Sequence, residues 1–417
     1  VRILHVWRRP YPFDIRVQKI SRTLGLAGHE VHIAATNSGS EPEAAPVEGL
    51  TVHRLPPLPG PLQQLGRLTG YPSPWNPRWM AGLRRICARV QPDALLVRDI
   101  HLMPLCARTA RRLGIPIVLD LPENWPALWT VWRETEGINL QNVLTRSVRL
   151  CRRAERAAVR AADHVLVCVE EMRDRLLTLG VPEQRITLVR NTPDLDRYPR
   201  LDAAQQDRAA RIRAGLGADF VIAYGGEVEP FRGLDTLLHA LALLRPTVPG
   251  AKLLLVGPSK GGNKRKILAV AARLGVTDAV LFTGWLEQAD LLDHVLAADV
   301  GAATFYACEQ FETTLTNKLF DYMSLGKPVL ATDVRPMRRI LEECACGLLV
   351  PSRDGEAAAA ALRRLLDPRY RQQLGENGIR AVRDKYQWAV SDGPAVARLF
   401  AALPRRDDHP AAVATVE

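Results

Sequence analysis

The chain has 417 residues, 47% hydrophobic and 24% charged, which excludes a fully disordered polymer. It is too long for one ordinary core, and two domains of about 150–200 residues are expected. Lys plus Arg number 56 against 45 Asp plus Glu, a net charge of +11 that favours anionic partners (nucleic acid, anionic lipid or a phosphorylated substrate) or is a solvated basic surface.

The chain opens on the strand-like run Arg2–Trp7, so no secretory signal is expected. No apolar run approaches the roughly 20 residues that cross a bilayer. Ile15 to Leu26 has helical spacing closed by Gly28, and Glu30–Ala35 is the next strand. Leu83–Val90 reads as helix, Ala94–Val97 as strand, Pro104–Leu113 as helix and Ile117–Leu119 as strand. The basic helix Arg149–Ala162 leads to strand His164–Val169, helix Met172–Leu179 and strand Ile186–Val189. From Asn191 to about Asp219 the apolar runs vanish, which reads as a linker with a short helix. The alternation then restarts with strand Phe220–Tyr224, helix Leu234–Leu244, strand Lys252–Val256 and a helix near Lys264–Leu274. Val280–Phe282, Val300–Ala303, Val329–Ala331 and Leu348–Val350 are further strands with helices between them. Short apolar runs between helices mark buried parallel strands, and two such series predict two doubly wound α/β domains with a cleft between them. Functional residues should then follow strands, because ligands bind at strand carboxyl ends.

The seven cysteines, Cys87, Cys106, Cys151, Cys168, Cys308, Cys344 and Cys346, are scattered without metal spacing and suit free thiols in a reducing compartment. The chain has no Gly-x-Ser-x-Gly, no His-Glu-x-x-His and no Gly-x-Gly-x-x-Gly after its first strand. Gly257–Arg265 fails as a P-loop, with Asn where Lys is required and Lys where Ser or Thr must hold Mg²⁺. Asp194-Leu-Asp196 is a short acidic pair in the expected linker, too thin a carboxylate set for a divalent ion.

The informative stretch is Thr314-Leu-Thr316-Asn317-Lys318-Leu-Phe-Asp321-Tyr-Met-Ser-Leu-Gly326-Lys-Pro-Val329. A helix starting near Thr316 presents unpaired N–H groups and a partial positive charge, suited to a diphosphate. Thr314, Thr316 and Asn317 add neutral donors and Lys318 a charge, while Asp321, one turn in, suits ribose hydroxyls. The plain alternative is an ordinary N-cap with a solvated Asp321. A second stretch, Tyr224-Gly225-Gly226-Glu227-Val-Glu229-Pro-Phe-Arg232-Gly233, follows the restarted first strand. Gly225 and Gly226 let the backbone approach a ligand, and Arg232 at a helix start is unfavourable without an anion.

These two stretches resemble the second-domain signature of the family-4 glycosyltransferases. The resemblance implies the GT-B fold: α/β, two doubly wound Rossmann-like domains facing across a cleft. It implies domains at 1–195 (acceptor side) and 219–385 (nucleotide-sugar side), a linker at 196–218, a C-terminal helix at 386–403 crossing back, and a disordered tail at 404–417. In that family a pair of Glu residues eight apart engages the donor sugar and the ribose. Asp321 holds the second position, and Thr313 the first, with Glu312 beside it as a one-residue-shifted substitute. Of the family's two diphosphate-gripping basic positions, Arg232 holds one and Glu227 the other. The first domain resembles the family more loosely, through Pro12–Arg16, Gly28–Val31, Val97-Arg98-Asp99, Asp120–Pro126 and Asp163–Glu170, which offers Asp99, His101 and Glu123 as residues lining the cleft.

The function so implied is retaining transfer of a sugar from a nucleotide-diphosphate donor, with uridine the expected base, to a hydroxyl acceptor, without metal or cofactor. Polysaccharide or glycolipid synthesis is the expected setting. Trp75, Trp79, Trp125, Trp129 and Trp132 lie among arginines including Arg67, Arg78, Arg84, Arg85, Arg133, Arg146, Arg149, Arg152 and Arg153, a mixture that suits a membrane interface. The expectation is a cytoplasmic protein docking on the inner leaflet, with a lipid-linked acceptor. Core tryptophans with a soluble acceptor (as in natural-product glycosylation), a sugar-nucleotide epimerase, and a basic nucleic-acid binder lacking a recognisable module stay open as alternatives.

Overall fold

Parallel strands covered by helices on both faces need apolar side chains throughout, and this requirement explains both sheets. The computed structural model describes residues 1–37, 39, 41–56, 76–136, 147–196, 198, 202–260 and 262–404. The chain forms two units, one of residues 1–190 with the closing segment from Asp392, the other Asn191–Ser391.

The first unit runs β1 (Arg2–Val6), α1 (Ile15–Leu26), β2 (Glu30–Thr36), β3 (Ala44–Val47), β4 (Leu50–Leu55), α2 (Pro77–Val90), β5 (Ala94–Arg98), α3 (Met103–Leu113), β6 (Ile117–Asp120), α4 (Trp125–Glu136), α5 (Val148–Ala161), β7 (His164–Val167), α6 (Glu170–Thr178) and β8 (Ile186–Leu188). Its sheet has the order β3-β4-β2-β1-β5-β6-β7-β8. Every pairing is parallel except β3 with β4, an edge hairpin that the sequence reading passed over. In β1 only Arg2 escapes burial, and β5 and β6 are buried end to end, so their carboxyl ends fix whatever follows them.

The second unit runs α7 (Ala203–Leu216), β9 (Phe220–Gly225), α8 (Leu234–Leu244), β10 (Ala251–Val256), α9 (Asn263–Arg273), β11 (Val280–Gly284), α10 (Gln288–Leu296), β12 (Val300–Ala303), α11 (Asn317–Ser324), β13 (Val329–Thr332), α12 (Arg335–Cys344), β14 (Gly347–Val350), α13 (Gly355–Arg364) and α14 (Pro368–Asp384). The sheet order is β11-β10-β9-β12-β13-β14, all parallel. Ile222, Leu237, Leu241, Leu253, Leu255 and Leu362 belong to the core under α8 and α13.

The stretch 196–218, read as linker, is mostly α7. Asp202 caps this helix by accepting from Gln205 N at 2.9 Å, and it packs on α10. Arg208 pairs with Asp293 and Arg213 with Asp299, both at 2.6 Å, which ties α7 to the second unit. The expected C-terminal helix 386–403 divides. Trp388 N donates to Pro193 O within the second unit, whereas Asp392–Ala401 (α15) packs on α1 and β8 of the first. Asp392 accepts from Arg190 N there at 2.7 Å. Residues 405–417, most of the expected tail, lie outside the described residues.

Trp79, Trp125 and Trp129 are buried, because α2 and α4 turn them inward, and Trp132 is half-buried. Burial takes the first three out of the interface reading and fits the alternative that they belong to the core. Trp75, Arg67 and Arg146 lie outside the described residues. Among the described residues no helix is long and apolar enough to cross a membrane.

Candidate active site

In the second unit the expected residues converge after β9 and β12. Gly225 N donates to Tyr322 Oη at 2.9 Å, and that hydroxyl donates to Ala302 O at 3.0 Å, so one phenol locks β9, β12 and α11 together. Gly226 has φ +126°, and a Cβ there would stand 3.3 Å from Lys318 Nζ, so the ammonium lies against this glycine's open face. Gly257 approaches from β10 so closely that a Cβ on it would lie 2.3 Å from Gly226 O.

Lys318, in the first turn of α11, is buried. Its Nζ sits 3.8 Å from the Tyr224 ring centroid and 5.4 Å from that of Phe305. Arg232, after β9, lies over Phe231 and Phe305 at 5.0 and 5.8 Å, so both cations share the Phe305 ring. Arg232 also holds Glu229 through Nε at 3.0 Å and Nη2 at 2.9 Å. Burial first, then the neighbouring Arg232, pushes the Lys318 ammonium well below its ordinary pKa, despite the opposing Glu229 and Asp321. Burial raises the Glu229 carboxyl, with Arg232 pulling the other way. Two cations held over aromatic faces at strand carboxyl ends form a site that gains from a multivalent anion.

The other expected residues divide. Thr316 is the N-cap residue of α11, and Asn317 opens the helix exposed, leaving first-turn N–H groups to face a ligand. The Thr314 hydroxyl donates to Gln310 O at 2.8 Å and that of Thr313 to Glu309 O at 2.7 Å, so both stabilise the preceding turn. Glu312 turns to α12, where its Oε2 accepts from Arg335 N at 3.0 Å and Nε at 3.1 Å. Glu227 pairs with Lys260 at 2.8 Å. Asp321 accepts from the Tyr198 hydroxyl. Tyr198 was missed, because nothing in its own segment ties a tyrosine to a carboxylate on α11. No group of three or more metal-binding side chains occurs among the described residues.

In the first unit Asp99, His101 and Glu123 follow β5 and β6. Asp99 has φ +67°, uncommon for a residue with a side chain, and is buried. Its Oδ1 accepts from Arg98 Nη1 at 2.8 Å and Trp125 Nε1 at 3.1 Å. Asp120 takes Arg16 Nε at 2.9 Å and Nη2 at 2.7 Å, and Arg98 lies 3.5 Å from Asp14 and 3.6 Å from Asp120. Burial lowers the Arg98 pKa, but Asp99, Asp14 and Asp120 outweigh it, and the guanidinium stays charged. His101 meets Trp125 edge-on at 4.3 Å. Burial, then Arg8, Arg9 and Arg98, holds it well below its usual pKa and hence neutral at pH 7, and its Nδ1 has no partner among the described residues. Arg8 was also missed. Burial and then Arg9 lower its pKa to about 10, and its Nε has no partner among the described residues. Glu123 is half-buried and adds to the negative potential at Arg98.

Residues 14–192 match a family model described as a glycosyl transferase 4-like domain, and residues 219–368 one described as glycosyl transferases group 1. The chain belongs to this glycosyltransferase family. The resemblance seen in Asn317–Val329 is thereby borne out. The D-inositol 3-phosphate glycosyltransferase of Streptomyces bingchenggensis is 30% identical over 244 residues, 56% of this chain and 52%, about half, of that protein. The protein of the same name from Segniliparus rotundus is 28% identical over 405 residues, 93% of this chain and 85% of its own. Among solved structures, sucrose-phosphate synthase from Thermosynechococcus elongatus superposes with a TM-score of 0.75 at 21% identity, covering 96% of this chain and 99% of that one. Anabaena HepE in complex with UDP and glucose gives 0.72 at 17% identity, with the same coverage. At such identities the superpositions establish the GT-B architecture, two Rossmann-like α/β domains.

Proposed function

We propose that this glycosyltransferase moves a sugar from a nucleotide-diphosphate donor to a hydroxyl acceptor, with retention of configuration and without a metal ion. The observation that carries the reading is the buried ammonium of Lys318 beside Arg232, both over Phe305, next to the open backbone of Gly226. As the glycosidic C–O bond breaks, charge builds on the leaving diphosphate. Arg232, Lys318 and the N–H groups of α11 oppose that charge where water is largely excluded, so their effect is larger than in solution. The proton released by the acceptor hydroxyl passes to the leaving phosphate, so no separate base is required. Asp321 receives the ribose hydroxyls. Uridine is the proposed base, supported by the UDP held in HepE.

For the acceptor we propose a lipid-linked molecule reached by docking at a membrane surface, in polysaccharide or glycolipid synthesis. The support is not the tryptophans but α5, where Arg149, Arg152, Arg153 and Arg156 lie exposed at helical spacing. Glu155 between them is buried against Arg175 at 2.6 Å. Anionic head groups suit such a face. A soluble phosphorylated acceptor is the second reading, favoured by the relatives' name.

A thermal-shift screen over UDP-, GDP- and ADP-sugars tests the donor, since a ligand at 100-fold its Kd stabilises by about 2.7 kcal/mol. Stabilisation by none of them would overturn the donor reading. Co-sedimentation with anionic vesicles tests the acceptor side, and no binding at low salt would leave the soluble acceptor.

A further inference from the structure

We infer that Tyr198 is a positioning residue of the donor site, holding the Asp321 carboxylate in the orientation that receives the ribose. The inference rests on the proposed ribose role of Asp321 and extends it to a residue in the segment between β8 and α7. Tyr198 donates its hydroxyl to Asp321 Oδ1, and the Gln288 side chain stands beside the phenol. Gln288 opens α10 immediately beyond the carboxyl end of β11, whereas Asp321 lies in α11 beyond β12. One phenol thus meets side chains from the two helices that follow the edge strand and a central strand of this sheet.

The segment bearing Tyr198 is itself pinned. Tyr198 N donates to Asp194 O at 3.2 Å, and Pro193 O accepts from Trp388 N at 2.8 Å. Burial, then the adjacent Asp321, holds the phenol well above its usual pKa, so it remains a donor throughout the neutral range. A carboxylate offers about four lone-pair sites. A phenol on one of them restrains the carboxylate's rotation. Without Tyr198 the carboxylate must be ordered when the nucleotide binds, at a cost of about threefold to tenfold in affinity.

The test compares UDP with 2′-deoxy-UDP by calorimetry on the full chain and on Tyr198→Phe, Asp321→Asn and the double variant. The wild type should prefer UDP by about tenfold or more, the scale of a hydrogen bond to a charged group. Asp321→Asn should abolish that preference. Tyr198→Phe should reduce it about threefold to tenfold while hardly changing 2′-deoxy-UDP affinity, and the double variant should match Asp321→Asn, because one residue acts through the other. Equal weakening of both nucleotides by Tyr198→Phe would make the tyrosine merely structural. Tighter UDP binding by that variant would make it a competitor of the ribose. Either result overturns the inference. An undiminished preference in Asp321→Asn would instead overturn the ribose reading beneath it. If the wild type binds no UDP, the GDP and ADP pairs replace it, and binding of none overturns both.

Discussion

Arg232→Ala is the most direct test of the proposed diphosphate site, and the structure sets its size. The guanidinium lies over Phe231 and Phe305 and holds Glu229 by two contacts of 3.0 and 2.9 Å. Its removal takes away one electrostatic contact to the leaving group, worth about 10²–10³ in turnover, or roughly 2.7–4 kcal/mol. Two relaxations pull against that loss. Lys318 no longer has Arg232 as a repelling neighbour and gains charge, and Glu229 loses the partner that held its carboxyl down. The loss should therefore fall near the lower end of the range. Arg232→Lys supplies the control. A lysine keeps the charge and gives up only the two-pronged geometry, so it should stay within about tenfold of wild type. Release of nucleotide diphosphate from the donor, with water as acceptor, is the assay, because it needs no knowledge of the natural acceptor. Near-normal release by Arg232→Ala would refute the phosphate assignment. Equal damage from Lys and Ala would show that the fork geometry or its hold on Glu229 matters more than charge.

Three further outcomes are expected. Burial and Arg232 depress the Lys318 pKa in the free protein, and a bound diphosphate should raise it. Nucleotide binding should then take up a proton between the free and bound pKa values, and affinity should fall as pH rises through that window. Calorimetry in buffers of different ionisation heat, repeated across a pH series, measures the uptake, which Lys318→Met should abolish; no uptake by the wild type at any pH would count against a phosphate at Lys318. Excess chelator should leave the rate within about twofold, since Arg232, Lys318 and the α11 N–H groups already oppose the developing charge; abolition by chelator with rescue by Mg²⁺ or Mn²⁺ would return attention to Asp194 and Asp196. Arg16→Met should destabilise the first unit by about 3–5 kcal/mol, because it strands Asp120, which is buried in a 2.7 Å pair; hydrogen exchange of β1 and β6 reports the loss, and unchanged protection would show that Arg98 alone satisfies Asp120.

What the sequence disclosed and what it hid follow the same physical division. Val300–Ala303 and Leu234–Leu244 were read with the bounds they have, because a buried strand or an amphipathic helix writes its environment into consecutive residues. The β3–β4 hairpin was lost because Pro46 and the polar pair His53-Arg54 break the apolar pattern at a sheet edge. Helix α7 was read only as a short helix within a linker for a related reason, since among its residues only Gln205 and Ala209 are buried. The ion network of Asp14, Arg16, Arg98, Asp99 and Asp120 joins α1, β5 and β6, and no local spacing announces it. The tryptophans show the limit most plainly. Composition placed them near arginines, but α2 and α4 set which way each one faces.

The charges around Gly226 depart from the resembled motif at position 227. Position 227, basic in the resembled family, is Glu here and pairs with Lys260. Lys318 Nζ, from α11, lies against Gly226, one residue away. Three cations crowded there would repel strongly, since two unit charges 4 Å apart cost about 4 kcal/mol near a protein surface. Lys318 is already driven toward neutrality by burial and Arg232. Glu229 and Asp321 relieve that pressure in part, while Glu227 faces Lys260. With Glu227 taken up by Lys260, the proposed diphosphate role falls to Arg232 after β9 and Lys318 on α11, which share the Phe305 ring.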